Sequence, residues 1–302
     1  MANDNLLHRL AQRTPSPVAD ILEMSGATMS DLTGLLDRDG DELDEWDPEY
    51  IRHTLPLQRR LIGGYFRSET RGLDNIPAEG PVLLVGNHSG GLMIADTFVF
   101  ALDFYARFGP QRRFHQLAHD LAARHPLLGN LRRYGTISAS RENAIAAFRR
   151  RAPVLVYPGG DWETFRPSWH SNEIEFGGRQ GFVELALSEG VPIVPVVSIC
   201  GQETALFVTR GRSVARALRL DRLFRLKVLP VSVGPPTGIN ILDLPGRIPL
   251  PAKVTVQVLP PIDLEARFGS RPEADIVYQE VTGEMQQALH ELSEERTAPV
   301  VG

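Results

Sequence analysis

The sequence has little of what several classes of protein need. Its single cysteine, Cys200, excludes an intrachain disulfide framework and a multi-cysteine zinc site. No run of about 18 consecutive apolar residues occurs, so we expect no membrane-spanning helix. The first residues also lack the apolar core of a secretory signal. Together these absences predict a protein of the reducing cytoplasm.

Positive charge is not in excess either. The formal net charge is −5 at pH 7, whereas domains that bind nucleic acid are usually basic, so we expect no nucleic-acid partner. The charge is unevenly distributed, because residues 31–49 are acidic and residues 210–227 carry six arginines and Lys227 against Asp221. Apolar residues interleave the cations of this basic segment. The pattern fits peripheral contact with an anionic membrane, and it fits equally a solvated helix that packs its leucines on a sheet.

Several common site motifs are missing as well. A nucleophile elbow, G-x-S-x-G, would need glycine at position 87, where the chain has Asn87. We find no Walker pattern and no dinucleotide-binding glycine pattern. The acidic run that starts at Asp37 fails as a calcium loop, because its sixth position is Glu42 instead of glycine. We therefore expect no bound metal and no cofactor.

From residue 80 onward, short apolar runs alternate with helical patterns. Strands are predicted at residues 82–85, 135–138, 154–157, 191–199, 227–233 and 254–258, and helices at 92–107, 143–150, 182–188 and 273–292. The alternation predicts an α/β fold with a mixed, largely parallel sheet flanked by helices and an N-terminal helical segment. We divide the chain into an acidic, helical extension (1–69) and a main domain (70–302) that includes a C-terminal amphipathic helix.

Ligands of such sheets bind beyond the carboxyl ends of the strands, and the first of these loops carries His88. A histidine at a strand exit can act as a general base, because its charge changes near neutral pH. Gly90 and Gly91 let a backbone approach a substrate, and N–H groups near them can hold an oxyanion. Asp96 follows as a candidate to orient the imidazole. On its own, however, the loop also fits a simple capped turn.

Three later segments carry weaker signals of the same kind. Residues 135–141 lead to Arg141, which can hold a phosphate or carboxylate. Residues 157–161 read Tyr-Pro-Gly-Gly-Asp after a strand, and residues 191–196 read Val-Pro-Ile-Val-Pro-Val. In this order and at these intervals, the four segments resemble the four sequence blocks of the glycerolipid (lysophospholipid-type) acyltransferase family. The resemblance covers roughly residues 70–265.

The resemblance implies an enzyme that moves a fatty acyl group from an acyl thioester to a lipid hydroxyl. The thioester, of coenzyme A or an acyl carrier protein, would be a co-substrate, and the lipid alcohol the other partner. His88 would accept the proton of the hydroxyl, and Asp96 would orient His88. The implied substrate-binding residues are Asn87, Ser89, Gly90, Gly91, Arg141, Tyr157, Pro158, Gly159, Gly160 and Asp161. Such an enzyme would be cytoplasmic, with peripheral contact at the inner face of the membrane through residues 210–227.

The first block departs from the family in the interval between its histidine and its aspartate. Four residues usually separate them, whereas seven separate His88 from Asp96. On one continuous helix, eight residues rise about 12 Å, which is too far for a hydrogen bond. Residues 89–91 must therefore form a compact turn if Asp96 is to reach His88. Asp161 and Glu163 are the next candidates for that role.

The third block departs from the family at Gly159, where enzymes with a phosphorylated acceptor carry glutamate. Its Pro-Gly-Gly sequence looks nearest the mono- and diacylglycerol acyltransferase-like branch, which favours a neutral or other lipophilic alcohol. Arg141 argues for a phosphorylated acceptor of the lysophosphatidic acid type if it binds an anion. A lipid-binding protein that keeps the fold without the chemistry is the third alternative.

Overall fold

The computed structural model describes residues 42–91, 94–119, 129–217, 228–241, 247–296 and 298. Of the predicted extension 1–69, residues 1–41 lie outside the described residues, as do residues 218–227 of the basic segment. Residue 227 of the predicted strand 227–233 is therefore also outside them. All described residues fall in one unit of the chain, residues 40–302.

The described residues contain ten strands, which form two sheets. The strands are β1 (Glu69–Arg71), β2 (Leu83–Gly86), β3 (His115–Ala118), β4 (Thr136–Ser138), β5 (Val154–Val156), β6 (Ile193–Ile199), β7 (Leu206–Thr209), β8 (Val231–Gly234), β9 (Gly238–Ile241) and β10 (Thr255–Val258). The main sheet has the order β1-β10-β6-β2-β5-β3-β4. Its pairs are parallel except β10 with β6. The small sheet, β7-β8-β9, is antiparallel.

The α-helices of the described residues precede, separate and follow these strands. They are α1 (Pro48–Tyr65), α2 (Ala95–Phe108), α3 (Gly129–Arg133), α4 (Arg141–Arg149), α5 (Gly160–Thr164), α6 (Gly181–Glu189), α7 (Arg212–Ala217), α8 (Leu264–Phe268) and α9 (Ala274–Glu295). Capping side chains fix several starts: Asp47 accepts from the Tyr50 N–H at α1, and Ser140 accepts from the Asn143 N–H at α4.

Helices cover both faces of the main sheet. Leu83 and Val85 of β2 belong to one hydrophobic cluster and Leu84 to another, because successive side chains of a strand point to opposite faces. The first cluster includes buried residues of α4, α6 and α9, and the second includes residues of α1 and α2. Burial on both faces explains why the central strands read as apolar runs. The predicted α/β fold with an N-terminal helix is confirmed.

Helix α2 begins later than predicted. The helical pattern starts at residue 92, but α2 starts at Ala95, and residues 92 and 93 lie outside the described residues. Gly90 and Gly91 have φ angles of 91° and 67°, which belong to a left-handed turn and exclude a continuous helix. This turn is the feature on which the contact between His88 and Asp96 depends.

The loops after β2, β5 and β6 converge at one edge of the sheet. Strand β2 lies between β5 and β6 and is parallel to both, so the three carboxyl ends are neighbours. The loops that follow them are residues 87–91, residues 157–161 and residues 200–204. These are the loops from which the sequence predicts a binding site.

Candidate active site

His88 and Asp96 are in contact. Nδ1 of His88 lies 3.3 Å from Oδ2 of Asp96. The turn at Gly90 and Gly91 brings the chain back, so that Asp96 in the first turn of α2 reaches the ring. The His88 side chain is 14% exposed and that of Asp96 is 1% exposed. The carboxylate is therefore buried, whereas the imidazole remains accessible to solvent. The sequence allowed this contact only if residues 89–91 formed a compact turn, and both the turn and the contact are present.

The Asp96 carboxylate is held on both of its oxygens. Oδ2 accepts the Ser89 N–H at 3.0 Å, and Oδ1 accepts the Thr97 N–H at 2.7 Å. The Ser89 hydroxyl also approaches Oδ2, at 3.4 Å. These donors fix the orientation of the carboxylate. Ser89, which the sequence assigns to substrate binding, is instead buried and faces Asp96.

Asn87 anchors the start of the loop to the neighbouring strand β6. Its side-chain amide donates to the Ser198 carbonyl at 2.9 Å, and its Oδ1 accepts the Ser198 N–H at 2.7 Å. These two bonds extend the pairing of β2 with β6 by one residue beyond the end of β2. The Asn87 residue is fully buried. Direct contact of the Asn87 side chain with a substrate, as the sequence predicted, is contradicted by this burial.

The backbone N–H groups of residues 88–91 all donate to protein acceptors. The acceptor for His88 is Glu163 Oε2 at 2.9 Å, and for Gly90 it is Gln202 Oε1 at 3.2 Å. The Gly91 N–H donates to the Thr164 carbonyl at 3.1 Å, and the Ser89 N–H donates to Asp96. In this structure the four N–H groups of residues 88–91 are therefore engaged within the protein, and the predicted oxyanion contact near the glycines stays a prediction.

The carbonyl groups of the same loop are also engaged. Arg166 Nη1 donates to the His88 carbonyl at 2.8 Å, and Arg247 Nη2 donates to the Gly90 carbonyl at 2.6 Å. The Thr164 hydroxyl donates to the Gly91 carbonyl at 3.0 Å. Two separate segments, residues 164–166 and the segment of Arg247, thus hold the carbonyl groups of the loop that carries His88. A loop fixed in this way can hold an imidazole in one place.

Tyr157, at the end of β5, packs against the imidazole. The rings of Tyr157 and His88 are stacked, with centroids 4.3 Å apart and planes 23° apart. The hydroxyl groups of Thr97 and Tyr157 share a hydrogen bond of 2.9 Å. Burial, with a smaller contribution from Asp96, raises the pKa of Tyr157 well above its usual value, so the phenol stays neutral. A Cβ at Gly86 would lie 2.5 Å from the Tyr157 ring, so glycine is needed there.

The remaining residues of block three are in contact with the Arg179 side chain. Arg179 Nη1 donates to the carbonyls of Gly159 and Pro158, at 2.7 and 3.2 Å, and Nη2 donates to Asp161 at 3.2 Å. Gly160 starts α5 with a φ of 50°. The described contacts direct the Asp161 carboxylate to Arg179, whereas the carboxylate that reaches His88 from this block belongs to Glu163.

Arg141 of block two is placed apart from these groups. It follows β4, which is three strands from β2 in the sheet order. Its side chain is exposed, and Nη2 donates to the Ser188 hydroxyl at 2.7 Å. The structure thus brings blocks one, three and four together around His88 and leaves Arg141 at a distance from them.

Sequence interpretation missed most of the residues that fix the loop. Glu163 was named only as a substitute partner for His88, although it holds the backbone and not the ring. Arg166 and Arg247 are buried, whereas arginine in a sequence normally indicates a surface position. No local pattern connects either of them, or Gln202, to the loop.

The described residues contain neither a metal-binding cluster nor a membrane-spanning helix. Among the described residues, no group of three or more His, Cys, Asp or Glu side chains is arranged to hold a metal ion. None of the helices in the same residues is both long and apolar enough to cross a membrane. From the basic segment, Arg210 and Arg212 lie over the Trp162 ring, 4.2 and 4.5 Å from its centroid.

Two of the known proteins to which this chain is similar match most of its length. An uncharacterized protein of Mycobacterium tuberculosis is 26% identical over 283 residues, which are 93% of this chain and 75% of that protein. Phytyl ester synthase 1 of Arabidopsis thaliana is 24% identical over 268 residues, which are 82% of this chain and 38% of the synthase.

The fold and the family model agree with the sequence blocks. The crystal structure of a 1-acyl-sn-glycerophosphate (LPA) acyltransferase, PlsC, from Thermotoga maritima matches with a TM-score of 0.50 and 16% identity, covering 89% of this chain and 88% of that one. That likeness establishes a common fold. Residues 67–199 match the family model named Acyltransferase. The predicted resemblance to the acyltransferase family is therefore confirmed over residues 67–199.

Proposed function

We propose that this protein is an O-acyltransferase that moves a fatty acyl group from an acyl thioester to the hydroxyl of a neutral lipophilic alcohol. The observation that carries the proposal is the contact between His88 Nδ1 and Asp96 Oδ2 at 3.3 Å. A proton on Nδ1 that faces the carboxylate leaves Nε2 unprotonated, which is the form that a general base needs. The thioester is carried by coenzyme A or by an acyl carrier protein.

The reaction follows from this tautomer. Nε2 of His88 takes the proton of the acceptor hydroxyl as the oxygen attacks the thioester carbonyl. The tetrahedral intermediate then breaks its C–S bond, and the imidazolium returns the proton to the leaving thiolate. Ester and free thiol are the products, without a covalent enzyme intermediate. Asp96 fixes the tautomer and stabilises the imidazolium, as a carboxylate does beside any catalytic histidine of this kind.

A neutral acceptor fits the cations of the site better than a phosphorylated one. Arg166 and Arg247 donate to carbonyls of the glycine loop, and Arg179 donates to carbonyls of block three and to Asp161. A Cβ at Gly159 would lie 2.5 Å from Glu163 Oε2, so the glutamate of phosphate-acceptor enzymes does not fit there. A relative named for phytyl ester synthesis also points to a lipophilic alcohol.

A screen of matched acceptors tests the proposal. The wild-type protein is supplied with acyl-coenzyme A or acyl carrier protein thioester and with a long-chain alcohol, a monoacylglycerol or a lysophosphatidic acid. Thiol release and ester mass are both measured. We expect ester from the neutral acceptors at a rate at least about tenfold above that from lysophosphatidic acid. Turnover of the phosphorylated acceptor alone contradicts the neutral-acceptor proposal, and lipid binding without any turnover indicates a carrier.

We also propose that the protein works in the cytoplasm, at the inner face of the membrane, held through residues 210–227. Lipid alcohols dissolve in bilayers, and a basic segment with interleaved leucines binds anionic lipid through charge and apolar contact. Co-sedimentation with phosphatidylcholine vesicles, with and without phosphatidylglycerol, tests this. We expect binding that requires the anionic lipid and weakens as salt is raised. Equal binding to both vesicles contradicts the role of charge.

A further inference from the structure

Two buried side chains hold the peptide groups on either side of His88. Glu163 Oε2 accepts the His88 N–H at 2.9 Å, and Arg166 Nη1 donates to the His88 carbonyl at 2.8 Å. Their side chains are 0% and 1% exposed. Both follow block three in the chain: Glu163 belongs to α5, and Arg166 lies two residues after the end of that helix. Their hydrogen bonds go to the backbone of His88, and the Glu163 carboxylate also interacts electrostatically with the imidazole.

Other bonds keep both side chains from turning towards a ligand. Glu163 Oε1 accepts the Glu175 N–H at 3.1 Å and lies 3.8 Å from Arg166 Nη1. Arg166 Nη2 donates to the Ser171 carbonyl at 3.0 Å. Each oxygen of Glu163 thus accepts from a backbone N–H, which is the pattern of an ionised carboxylate. The guanidinium beside it supplies the compensating charge.

Burying this ion pair is costly. Burial raises the pKa of the Glu163 carboxyl and lowers that of the Arg166 guanidinium, which measures how unfavourable each charge is in that place. Well-packed apolar residues of similar volume are often as stable as a buried ion pair, or more so. Stability alone therefore does not account for these two residues. Their shared contact with one residue, His88, does.

Gly159 is the third member of the arrangement. A Cβ at this position would overlap the Glu163 side chain, lying 2.4 Å from its Cβ and 2.5 Å from Oε2. The space beside α5 thus holds the Glu163 side chain or a side chain at 159, but not both. This exclusion explains why block three has glycine at the position where phosphate-acceptor enzymes carry glutamate.

We propose that Glu163 and Arg166 are positioning residues for His88, and that Gly159 is glycine because Glu163 needs its space. The catalytic consequence rests on the proposed function, in which His88 is the base. The structural consequence does not: without the pair, the His88 backbone loses two of its bonds. A shift of about 1 Å in a reacting group can lower a rate by about 100-fold.

Glu163→Gln is the decisive variant. Glutamine keeps the volume but has one carbonyl oxygen, so it cannot accept both the His88 and the Glu175 N–H groups. We expect kcat per folded protein to fall about 10- to 100-fold, with KM changed less than about threefold. The matched control is Asp103→Asn, which breaks a carboxylate–Arg pair with Arg59 (2.8 Å; side chains 12% and 57% exposed) away from the loops around His88. It should lower the melting temperature and leave kcat within about twofold.

A second readout needs no turnover. The chain has eight histidines, and their ring signals can be followed by NMR on protein labelled at histidine, with His88→Ala assigning the signal of His88. We expect Glu163→Gln to shift or broaden the His88 signal and Asp103→Asn to leave it unchanged. If Glu163→Gln does not fold, Arg166→Lys replaces it, because lysine keeps the charge but cannot reach the His88 and Ser171 carbonyls together.

The two readouts separate the two claims. A wild-type protein without turnover contradicts the proposed function, while the His88 signal still tests the positioning. An unchanged His88 signal and an unchanged kcat in the folded Glu163→Gln variant, or in Arg166→Lys, overturn the positioning role.

Discussion

The loop after β2 and the segment after β4 are both family blocks, but their surroundings differ. Around His88, every N–H group of residues 88–91 donates to a protein acceptor, and arginines hold two of the carbonyls. Arg141 is exposed and donates to the Ser188 hydroxyl. The comparison shows that the loop of His88 is held in one conformation by buried contacts, whereas Arg141 is a cation that can leave its partner at little cost.

The largest effect in this comparison is expected from Asp96→Asn. Asparagine carries no charge to stabilise the imidazolium, and its NH2 group, when it faces Nδ1, donates to the ring and leaves the proton on Nε2. We expect kcat/KM of acyl transfer to fall about 1,000-fold. The matched control is Asp103→Asn, two turns further along α2, whose buried carboxylate accepts from Arg59 and Thr70. It should lower stability and keep the activity within about twofold. Equal losses in the two variants contradict the orienting role.

Gly159→Ala tests whether the Glu163 side chain, which holds the His88 N–H, needs the space beside residue 159. The new methyl group overlaps Glu163, so we expect a loss of about 1–3 kcal/mol in the free energy of unfolding, measured in denaturant. Activity should fall at least about tenfold, because the carboxylate leaves the His88 N–H. Gly181→Ala is the control, since nothing lies within 4 Å of a Cβ there. If both variants unfold at the same denaturant concentration, the overlap is not real.

Tyr157→Phe is expected to have a smaller effect. Phenylalanine keeps the stacked ring on His88 and removes only the hydroxyl that bonds to Thr97. We expect kcat to fall about threefold to tenfold, which matches the loss of one hydrogen bond. Tyr157→Leu, which also removes the stacked ring, should lose more. The idea that the ring supports the imidazole fails if leucine is as active as phenylalanine.

The smallest effect should come from the exposed block. An exposed charge contributes about 0.2–1 kcal/mol to an interaction, so Arg141→Ala should raise KM for the anionic thioester donor about twofold to fivefold, with kcat unchanged. Initial rates over a range of donor concentrations measure this. A loss in kcat as large as that of Asp96→Asn would remove the contrast between the two blocks.

The central strands and the contact between His88 and Asp96 could be predicted from the sequence for identifiable reasons. Strands β2, β5 and β6 are buried apolar runs, so composition alone marks them. The contact between His88 and Asp96 was expected from the resemblance to the acyltransferase family, on condition that residues 89–91 form a compact turn. Strand β3 was missed, because it opens with His115 and Gln116, which are polar although the strand buries them.

The residues that fix the loop were beyond prediction because their contacts are distant along the chain. Arg166, Gln202 and Arg247 bond to the loop across 78, 112 and 157 positions. No periodicity connects such positions, and a buried arginine looks in a sequence like a surface arginine. The same limit explains why the sequence did not indicate that N–H groups of the glycine loop have acceptors in other segments.

The central claim, that His88 is the base for acyl transfer, is tested most directly by His88→Ala. Wild-type and variant proteins, both shown to be folded, are given the thioester and the alcohol on which the wild type is most active, and ester formation is measured beside thiol release. The account predicts that both products fall together by at least about 1,000-fold in the variant, while binding of the lipid alcohol is retained. Ester formation within about tenfold of the wild-type rate would contradict it.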